Sequence, residues 1–133
     1  QRKVMSISLM PGSRLPAFCT SMGRVLLAAL PEVEVALLLA ARPLQARTEF
    51  TVTEPAEVMQ RIAQVRGQGF AVIDQEVEIG LRSIAVPILD ARGRVVAALN
   101  LGLPARAEAP EALESRYLPA LRAIQAELRK VLR

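Results

Sequence analysis

Three consecutive segments between Phe70 and Leu103 have the pattern of β-strands and are separated by very short turns. Apolar residues alternate with other residues along each segment, which is typical of strands. The turns are Gly80 and the four residues that begin at Asp90, and strands joined so closely pair as antiparallel hairpins. The predicted strands are Phe70–Ile79, Leu81–Asp90 and Arg94–Leu103.

Helical patterns flank this meander on both sides. Thr20 and Ser21 are good N-cap residues for the first helix. Thr53, followed by Pro55, is predicted to open the third helix, and Gly69 to cap its end. The predicted helices are Met22–Leu30, Pro31–Ala41, one with the apolar face Val58, Ile62 and Val65, and a C-terminal one with the stripe Leu113, Tyr117, Leu121, Ile124, Leu128 and Val131.

Two further features complete the predicted architecture. Lys3–Met10 alternates like a strand, with Ile7 and Leu9 on one face. Pro119 is expected to kink the C-terminal helix or to split its first turn from the rest. The order of strand, three helices, three strands and helix predicts an α+β fold with a largely antiparallel sheet covered by helices.

Length and composition exclude several classes of protein. A chain of 133 residues fits one domain, residues 1–133. It has no His and one Cys, which excludes a Ser-His or Cys-His pair, a disulfide and the usual zinc site within this chain. No apolar run approaches the roughly 18 residues that span a bilayer. The net charge of +4 comes from 15 Arg and 2 Lys scattered among acidic residues, and it identifies no partner.

The first candidate site is the start of the first helix, at Cys19-Thr20-Ser21-Met22-Gly23. Backbone N–H groups at a helix start have no intrahelical partner, so they suit a carboxylate. Ser21 adds a hydroxyl, and Gly23 permits close approach of a ligand or another backbone. The alternative is a simple N-cap.

The second candidate is a set of carboxylates. Strand alternation puts Asp74, Glu76 and Glu78 on one face, where they could hold a divalent cation or raise one another's pKa. A small enzyme using Asp74 or Glu76 as general base would follow from such a site. The alternative is a solvated strand face.

The third candidate is a set of small or polar residues in strands that are otherwise apolar. Ser83, Asn100 and Gly102 interrupt the predicted central strands, and a buried polar group needs a protein or ligand partner. A small cavity with few polar groups is the usual form of a ligand site. The alternative is an Asn satisfied by backbone and a Gly at a bulge.

The first two helices also have the spacing of a helix-turn-helix. The second of them begins with Glu32 and Glu34, and acidic side chains are repelled by phosphates. This helix pair is therefore predicted not to bind DNA.

Three segments together resemble one family, the C-terminal effector-binding domain of IclR-type bacterial transcription regulators. The first segment is most similar to the branch that controls protocatechuate, 4-hydroxybenzoate and β-ketoadipate catabolism. The segments are Gly12–Ala17 with Thr20–Ala28, Arg66–Glu76 running into Gly80–Pro87, and Gly93–Asn100.

The resemblance implies a GAF-like (profilin-like) fold with a curved, largely antiparallel sheet flanked by helices. It implies a cytoplasmic sensor of a small organic acid, aromatic or dicarboxylic, that assembles as a homodimer or homotetramer and uses no cofactor. Such a sensor controls transcription of a catabolic operon through rearrangement of its subunits. A winged helix-turn-helix domain normally precedes this one. We expect it to be absent here, in a chain truncated at its N-terminus.

The resemblance also implies the ligand-binding residues, and no catalytic or metal-binding ones. Arg14 is a candidate partner for a carboxylate, as is Arg82 if it faces the pocket. Ile7 and Leu9 are further candidates for apolar walls. The predicted ligand-binding set is Arg14, Leu15, Ser21, Met22, Asp74, Ser83, Asn100 and Gly102. The alternatives are the small enzyme above and an oligomerisation module that binds no ligand.

Overall fold

A computed structural model describes residues 16–105 and 109–133. The predicted strand Lys3–Met10 and the predicted ligand-binding residues Arg14 and Leu15 lie outside this part of the chain. In chain order the structure has a short 3₁₀ turn Ala17–Cys19, α1 Ser21–Ala28, α2 Glu32–Ala40, α3 Pro55–Gln68, β1 Ala71–Asp74, β2 Leu81–Leu89, β3 Val95–Pro104 and α4 Glu111–Val131.

The three described strands form an antiparallel sheet in the order β1-β2-β3, so β2 is central. Successive residues of a strand point to opposite faces. Ala85 packs with Val25 of α1 and Val65 of α3. Its neighbours Ile84 and Val86 pack instead with Leu113 and Leu121 of α4. Helices therefore cover both faces of the sheet, which confirms the predicted α+β fold.

A separate cluster of apolar side chains joins α2 and α3 to the segment before α1. Its centre is formed by residues with almost no exposure to solvent. The buried members are Phe18, Cys19, Leu27, Val35, Leu39, Val58 and Ile62. Because α2 contributes only Val35 and Leu39, one side of that helix is buried and the rest faces outward.

The helix ends agree in part with the predicted ones. Thr20 caps α1, since its hydroxyl oxygen accepts from the Gly23 N–H at 3.0 Å. Gly69 ends α3 with a φ of 83°, a left-handed conformation that favours glycine. The predicted opening of α3 by Thr53 is wrong: the N-cap is Glu54, and Pro55 is the first helical residue. Proline suits that position because its missing N–H has no partner there.

The C-terminal helix α4 is continuous from Glu111 to Val131, so Pro119 does not split it. Pro119 is exposed, where water can solvate the carbonyl that loses its donor. Leu113 and Leu121 of the predicted stripe are buried, and Tyr117 and Leu128 are half-buried. Ile124 and Val131 are exposed, which the stripe did not predict.

The first strand of the meander is shorter than predicted. β1 ends at Asp74, because Gln75 adopts a φ of 61° and turns the chain. The Gln75 N–H donates to the Leu81 carbonyl oxygen at 2.9 Å, and the Gly80 N–H donates to Gln75 Oε1 at 3.0 Å. The segment from residue 75 to residue 80 is thus a closed turn, although its sequence continues the alternation of a strand.

None of the helices in the two described ranges combines the length and the hydropathy that crossing a membrane requires.

Asp90 organises the hairpin between β2 and β3. Its buried carboxylate accepts the backbone N–H groups of Arg92 and Arg94 at 2.9 Å, and the Arg94 Nε at the same distance. These donors, the Arg94 N–H above all, lower the pKa of the Asp90 carboxyl below its ordinary value.

This geometry predicts an acid-dependent loss of stability. A lowered folded-state pKa contributes stability that is complete above the unfolded pKa of about 3.9 and is lost as the pH falls through the folded value. We expect the free energy of unfolding of Asp90→Asn to decline less than that of the wild type between about pH 5 and pH 2. Urea titrations at a series of pH values measure this difference. Parallel curves for the two proteins would contradict it.

Candidate functional site

The start of α1 presents backbone donors that have no partner in residues 16–105 and 109–133. The Gly23 N–H is bound by the Thr20 hydroxyl and the Arg24 N–H by the Thr20 carbonyl. The N–H groups of Ser21 and Met22 donate to no acceptor among the described residues. They lie at the positive end of the helix dipole, where an anion is stabilised.

Two buried serine hydroxyls meet beside these donors. Ser83 of β2 donates to Ser21 Oγ at 2.9 Å, and the two residues are only 9% and 2% exposed. A hydroxyl has one proton and two acceptor sites, so Ser21 accepts from Ser83 and keeps its own proton for another acceptor. No described residue accepts that proton. The contact joins two predicted ligand-binding residues that are 62 positions apart.

The register of the sheet places two more predicted residues on the same face as Ser83. Gly102 lies directly opposite Ser83, and Asn100 is opposite Ala85, two residues along β2. Both are exposed, and β3 is an edge strand of the described sheet. The prediction that these residues lie in a central, buried strand is therefore wrong for the described strands. Met22 of α1 is 40% exposed.

Asp74 does not join this group. It lies opposite Arg82, one residue away from the Ile73 and Ser83 pair, so its side chain is on the other face of the sheet. Arg82 Nε donates to Asp74 Oδ1 at 2.6 Å, and the Arg82 side chain is 9% exposed. Arg82 is thus held on the α4 side of the sheet.

The structure also contains a buried ion pair that the sequence did not reveal. Arg24 Nη2 lies 2.9 Å from Glu76 Oε1, and Arg24 Nε donates to the Phe18 carbonyl oxygen at 2.9 Å. The same Glu76 oxygen accepts the Val52 N–H at 3.1 Å. Burial lowers the pKa of the Arg24 guanidinium, and Glu76 opposes that change. The pair ties α1 to the turn after β1. No local pattern could have predicted it, since 52 residues separate the partners.

This ion pair overturns the interpretation of Asp74, Glu76 and Glu78 as carboxylates on one strand face. The strand ends at Asp74, and Glu76 turns inward to Arg24, so it is neither on a solvated face nor beside Asp74 as a ligand. Across residues 16–105 and 109–133, no three His, Cys, Asp or Glu side chains are grouped so that they could hold a metal ion.

Cys19 is a buried thiol close to the same pair. Burial, and then the nearby Glu76 charge, raise the pKa of the thiol to about 11. A thiol with that pKa is protonated at neutral pH and is a poor nucleophile.

The serine pair lies outside the three cavities found among the described residues. Cavities of about 280, 110 and 580 Å³ lie elsewhere in the fold, and neither Ser21 nor Ser83 lines any of them. The candidate site consists of the α1 start, the serine pair and the facing positions of β3.

Sequence comparisons match nearly the whole chain to one family. The family described as "Bacterial transcriptional regulator IclR C-terminal" matches residues 1–129. The Pca regulon regulatory protein of Pseudomonas putida is 48% identical over 95% of this chain and 43% of its own length. The p-hydroxybenzoate hydroxylase transcriptional activator of Acinetobacter baylyi is 36% identical over 90% of this chain and 44% of its own length. The chain thus spans less than half of these relatives.

Solved structures show the same fold. The inducer-binding domain of the PobR transcription factor from Acinetobacter, a double mutant in complex with 3-hydroxybenzoic acid, has a TM-score of 0.89 and 32% identity. The match covers 99% of this chain and 75% of that one. The Thermotoga maritima IclR has a TM-score of 0.84 and 29% identity, over 99% of this chain and 53% of that one.

These relatives are transcription regulators and not enzymes, and their likeness extends over almost every residue of the chain. The chain belongs to the IclR family of bacterial transcriptional regulators and corresponds to the C-terminal part of its members.

Proposed function

We propose that this chain is the effector-binding domain of a cytoplasmic regulator, and that it senses a small organic acid, aromatic or dicarboxylic. The effector carboxylate binds at the start of α1, between that helix and the sheet. The observation that carries the proposal is the buried Ser21–Ser83 hydroxyl pair at the start of α1, where the remaining hydroxyl proton and the N–H groups of Ser21 and Met22 have no acceptor among the described residues. Three donors converging at a helix start suit one carboxylate.

These donors stabilise the negative charge of the acid. Arg82 is held by Asp74 on the opposite face of the sheet, and Arg24 is held by Glu76. Neither guanidinium is directed at the serine pair. Hydrogen bonds from neutral donors and the dipole of α1 therefore stabilise the anion, unless Arg14 contributes. The remaining predicted contacts are Leu15, Met22, Asn100 and Gly102.

The chemical class of the effector is supported by the relatives. One regulator named above takes its name from p-hydroxybenzoate hydroxylase, and a similar inducer-binding domain holds 3-hydroxybenzoic acid. A hydroxybenzoate has the carboxylate that the α1 start suits, and a flat apolar ring. We propose that Met22 contacts the ring.

The sensor acts on transcription through assembly. We propose that the chain forms homodimers or homotetramers, and that a winged helix-turn-helix domain outside these 133 residues binds DNA. The acid must bind one arrangement of subunits more tightly than the other, because only differential affinity shifts such an equilibrium. A catabolic operon for the sensed acid is the proposed target.

A thermal-shift screen tests effector binding. The acids are 3-hydroxybenzoate, 4-hydroxybenzoate, protocatechuate and β-ketoadipate, with benzamide as a ligand that lacks the carboxylate. An acid at about 100 times its Kd stabilises by roughly 2.7 kcal/mol, which raises Tm by several degrees. We expect one acid to raise Tm, benzamide to have no effect, and NMR to show no consumption of the acid. Consumption would support the enzyme instead. Absence of any shift would support the ligand-free oligomerisation module.

Ser21→Ala is expected to weaken binding of the selected acid by about 10- to 150-fold, because a hydrogen bond to a charged group contributes about 1.5–3 kcal/mol. Isothermal titration calorimetry measures the Kd. Ser115→Ala is the matched control, since Ser115 is an exposed serine of α4 that donates to its own helix. Equal Kd values for the Ser21 and Ser115 variants would contradict the placement of the carboxylate.

A further inference from the structure

Two side chains of α1 contact the same β-hairpin, which consists of β1, β2 and the turn between them. Ser21 and Arg24 are three residues apart, so they are neighbours on the helix surface, and each is only 2% exposed. Ser21 meets the hydroxyl of Ser83 in β2, and Arg24 meets Glu76 in the turn. The hairpin therefore holds α1 at two neighbouring points, and only the first of them belongs to the candidate site.

The guanidinium of Arg24 also fixes the chain that leads into α1. Its Nε donates to the Phe18 carbonyl oxygen at 2.9 Å, and Phe18 lies in the 3₁₀ turn that precedes the N-cap Thr20. Because the guanidinium is planar and its donors have a fixed geometry, it holds this oxygen and Glu76 Oε1 in a fixed relation to each other. One rigid group thus connects the entry into α1 with the hairpin.

Glu76 is a firm anchor for Arg24, because the backbone around it is held as well. The carboxylate oxygen that pairs with Arg24 also accepts the Val52 N–H at 3.1 Å. The Thr51 hydroxyl donates to the Glu76 carbonyl oxygen at 2.6 Å. The paired side chains are only 3% and 7% exposed, so water cannot take the place of either partner. These contacts fix the position of Glu76 relative to α1.

The spacing between α1 and the hairpin matters for the donors of the candidate site. The hydroxyl contact between Ser21 and Ser83 measures 2.9 Å, near the upper end of the roughly 2.5–3.0 Å range of such hydrogen bonds. A small outward shift of α1 therefore breaks it. Groups that bind a ligand together must be held within about 0.5 Å of the productive geometry. The three donors at the start of α1 can converge on one carboxylate only if the helix keeps its place.

We propose that the Arg24–Glu76 pair positions the effector site: it sets the spacing between α1 and the hairpin, and thereby keeps Ser21 against Ser83 and the helix start directed at the carboxylate. Arg24 and Glu76 are positioning residues, since their side chains bind each other and not the acid. This inference rests on the proposed binding of an acid at the start of α1, and it adds two residues on which that binding depends.

Two variants separate positioning from folding. Arg24→Met with Glu76→Gln removes both charges, so no unpaired charge stays buried. Leu121→Ala is the matched control, because it creates a cavity in the core on the opposite face of the sheet, where Leu121 is 6% exposed and packs with Ile84. Both are studied at a temperature where circular dichroism shows at least about 99% folded protein, so unfolding changes the measured Kd by only about 1%.

Isothermal titration calorimetry measures the Kd of the acid that raises the Tm of the wild type, among 3-hydroxybenzoate, 4-hydroxybenzoate, protocatechuate and β-ketoadipate. We expect the Kd to rise at least about tenfold in the double variant and to stay within about twofold of the wild-type value in Leu121→Ala. Crystal structures without ligand read the spacing directly. The distance between the Ser21 and Ser83 hydroxyls is expected to exceed about 3.5 Å in the double variant and to stay near 2.9 Å in the control.

Three results would overturn the inference: a wild-type Kd in the double variant, an intact hydroxyl contact in its crystal structure, or an equal rise in Kd in Leu121→Ala. Failure of the proposed function gives a different result. If none of the four acids raises the Tm of the wild type, acid sensing fails, whereas the crystal structures still show whether the ion pair sets the spacing of α1.

Discussion

Arg24→Met is expected to lower the free energy of unfolding by about 3–5 kcal/mol, because it leaves the carboxylate of Glu76 buried without its cation. The side chains of the pair are only 3% and 7% exposed, so water cannot replace the guanidinium. The substitution also removes the donor to the Phe18 carbonyl oxygen. Urea denaturation measures the loss, and Tm is expected to fall by about 10–20 °C.

A second substitution separates the unpaired charge from the lost packing. In the double variant, Arg24→Met with Glu76→Gln, the side chain at position 76 is neutral. Its amide oxygen can still accept the Val52 N–H. We expect the double variant to be clearly more stable than Arg24→Met alone. Arg61→Met removes an exposed arginine, whose pair with Glu57 spans 3.2 Å, and is expected to change stability by less than about 1 kcal/mol. Equal stability of the single and double variants would contradict a buried charge at Glu76.

Gly23→Ala is expected to destabilise the domain by about 3 kcal/mol, the upper part of the range for overpacking. A Cβ at this position would overlap the backbone of Ala17 and lie 2.5 Å from Thr20 Oγ1. Helix propensity alone predicts the opposite sign, since alanine is favoured over glycine in a helix by about 1 kcal/mol. The sign of the measured change therefore shows whether the close approach of the 3₁₀ turn to α1 requires glycine at position 23. Urea denaturation measures the change.

Gly67→Ala is the matched control. Gly67 also lies in a helix, α3, but nothing is within 4 Å of a Cβ added there. We expect this variant to gain about 0.5–1 kcal/mol in stability. A loss of stability in both variants would indicate that the Ala17 contact is not the cause. Because Gly23 follows Ser21 and Met22 directly, its alanine variant is also expected to bind the effector acid more weakly.

Local patterns were sufficient for most elements of the fold. The alternation of apolar residues and the short turns predicted a three-strand antiparallel meander, and the structure has it. Proline and glycine placed the boundaries of α3 near Pro55 and Gly69. These signals are read from neighbouring residues, so no tertiary information was needed. These signals failed at residues 75–80, which continue the alternation of a strand but form a turn. Glu76 of this turn forms the buried ion pair with Arg24, a tertiary contact.

The sequence likewise predicted some contacts of the candidate site and missed others. The sequence singled out Ser21 as a residue at a helix start and Ser83 as a polar residue in an apolar strand, and the structure brings their hydroxyls together. It also grouped Asp74 with them, whereas the pleat of β1 turns that carboxylate to the opposite face and towards Arg82. Which face a residue occupies depends on strand register, which is fixed by pairing between strands.

The sequence by itself determined the class of fold, the family and the exclusion of histidine-dependent chemistry within these 133 residues, because these depend on composition and on patterns within short segments. Only the tertiary structure decided which residues meet: Ser21 with Ser83, Arg24 with Glu76, and Asp74 with Arg82. The physical reason is distance along the chain. Contacts between residues 52 or 62 positions apart leave no local signal, because packing of helices on the sheet creates them.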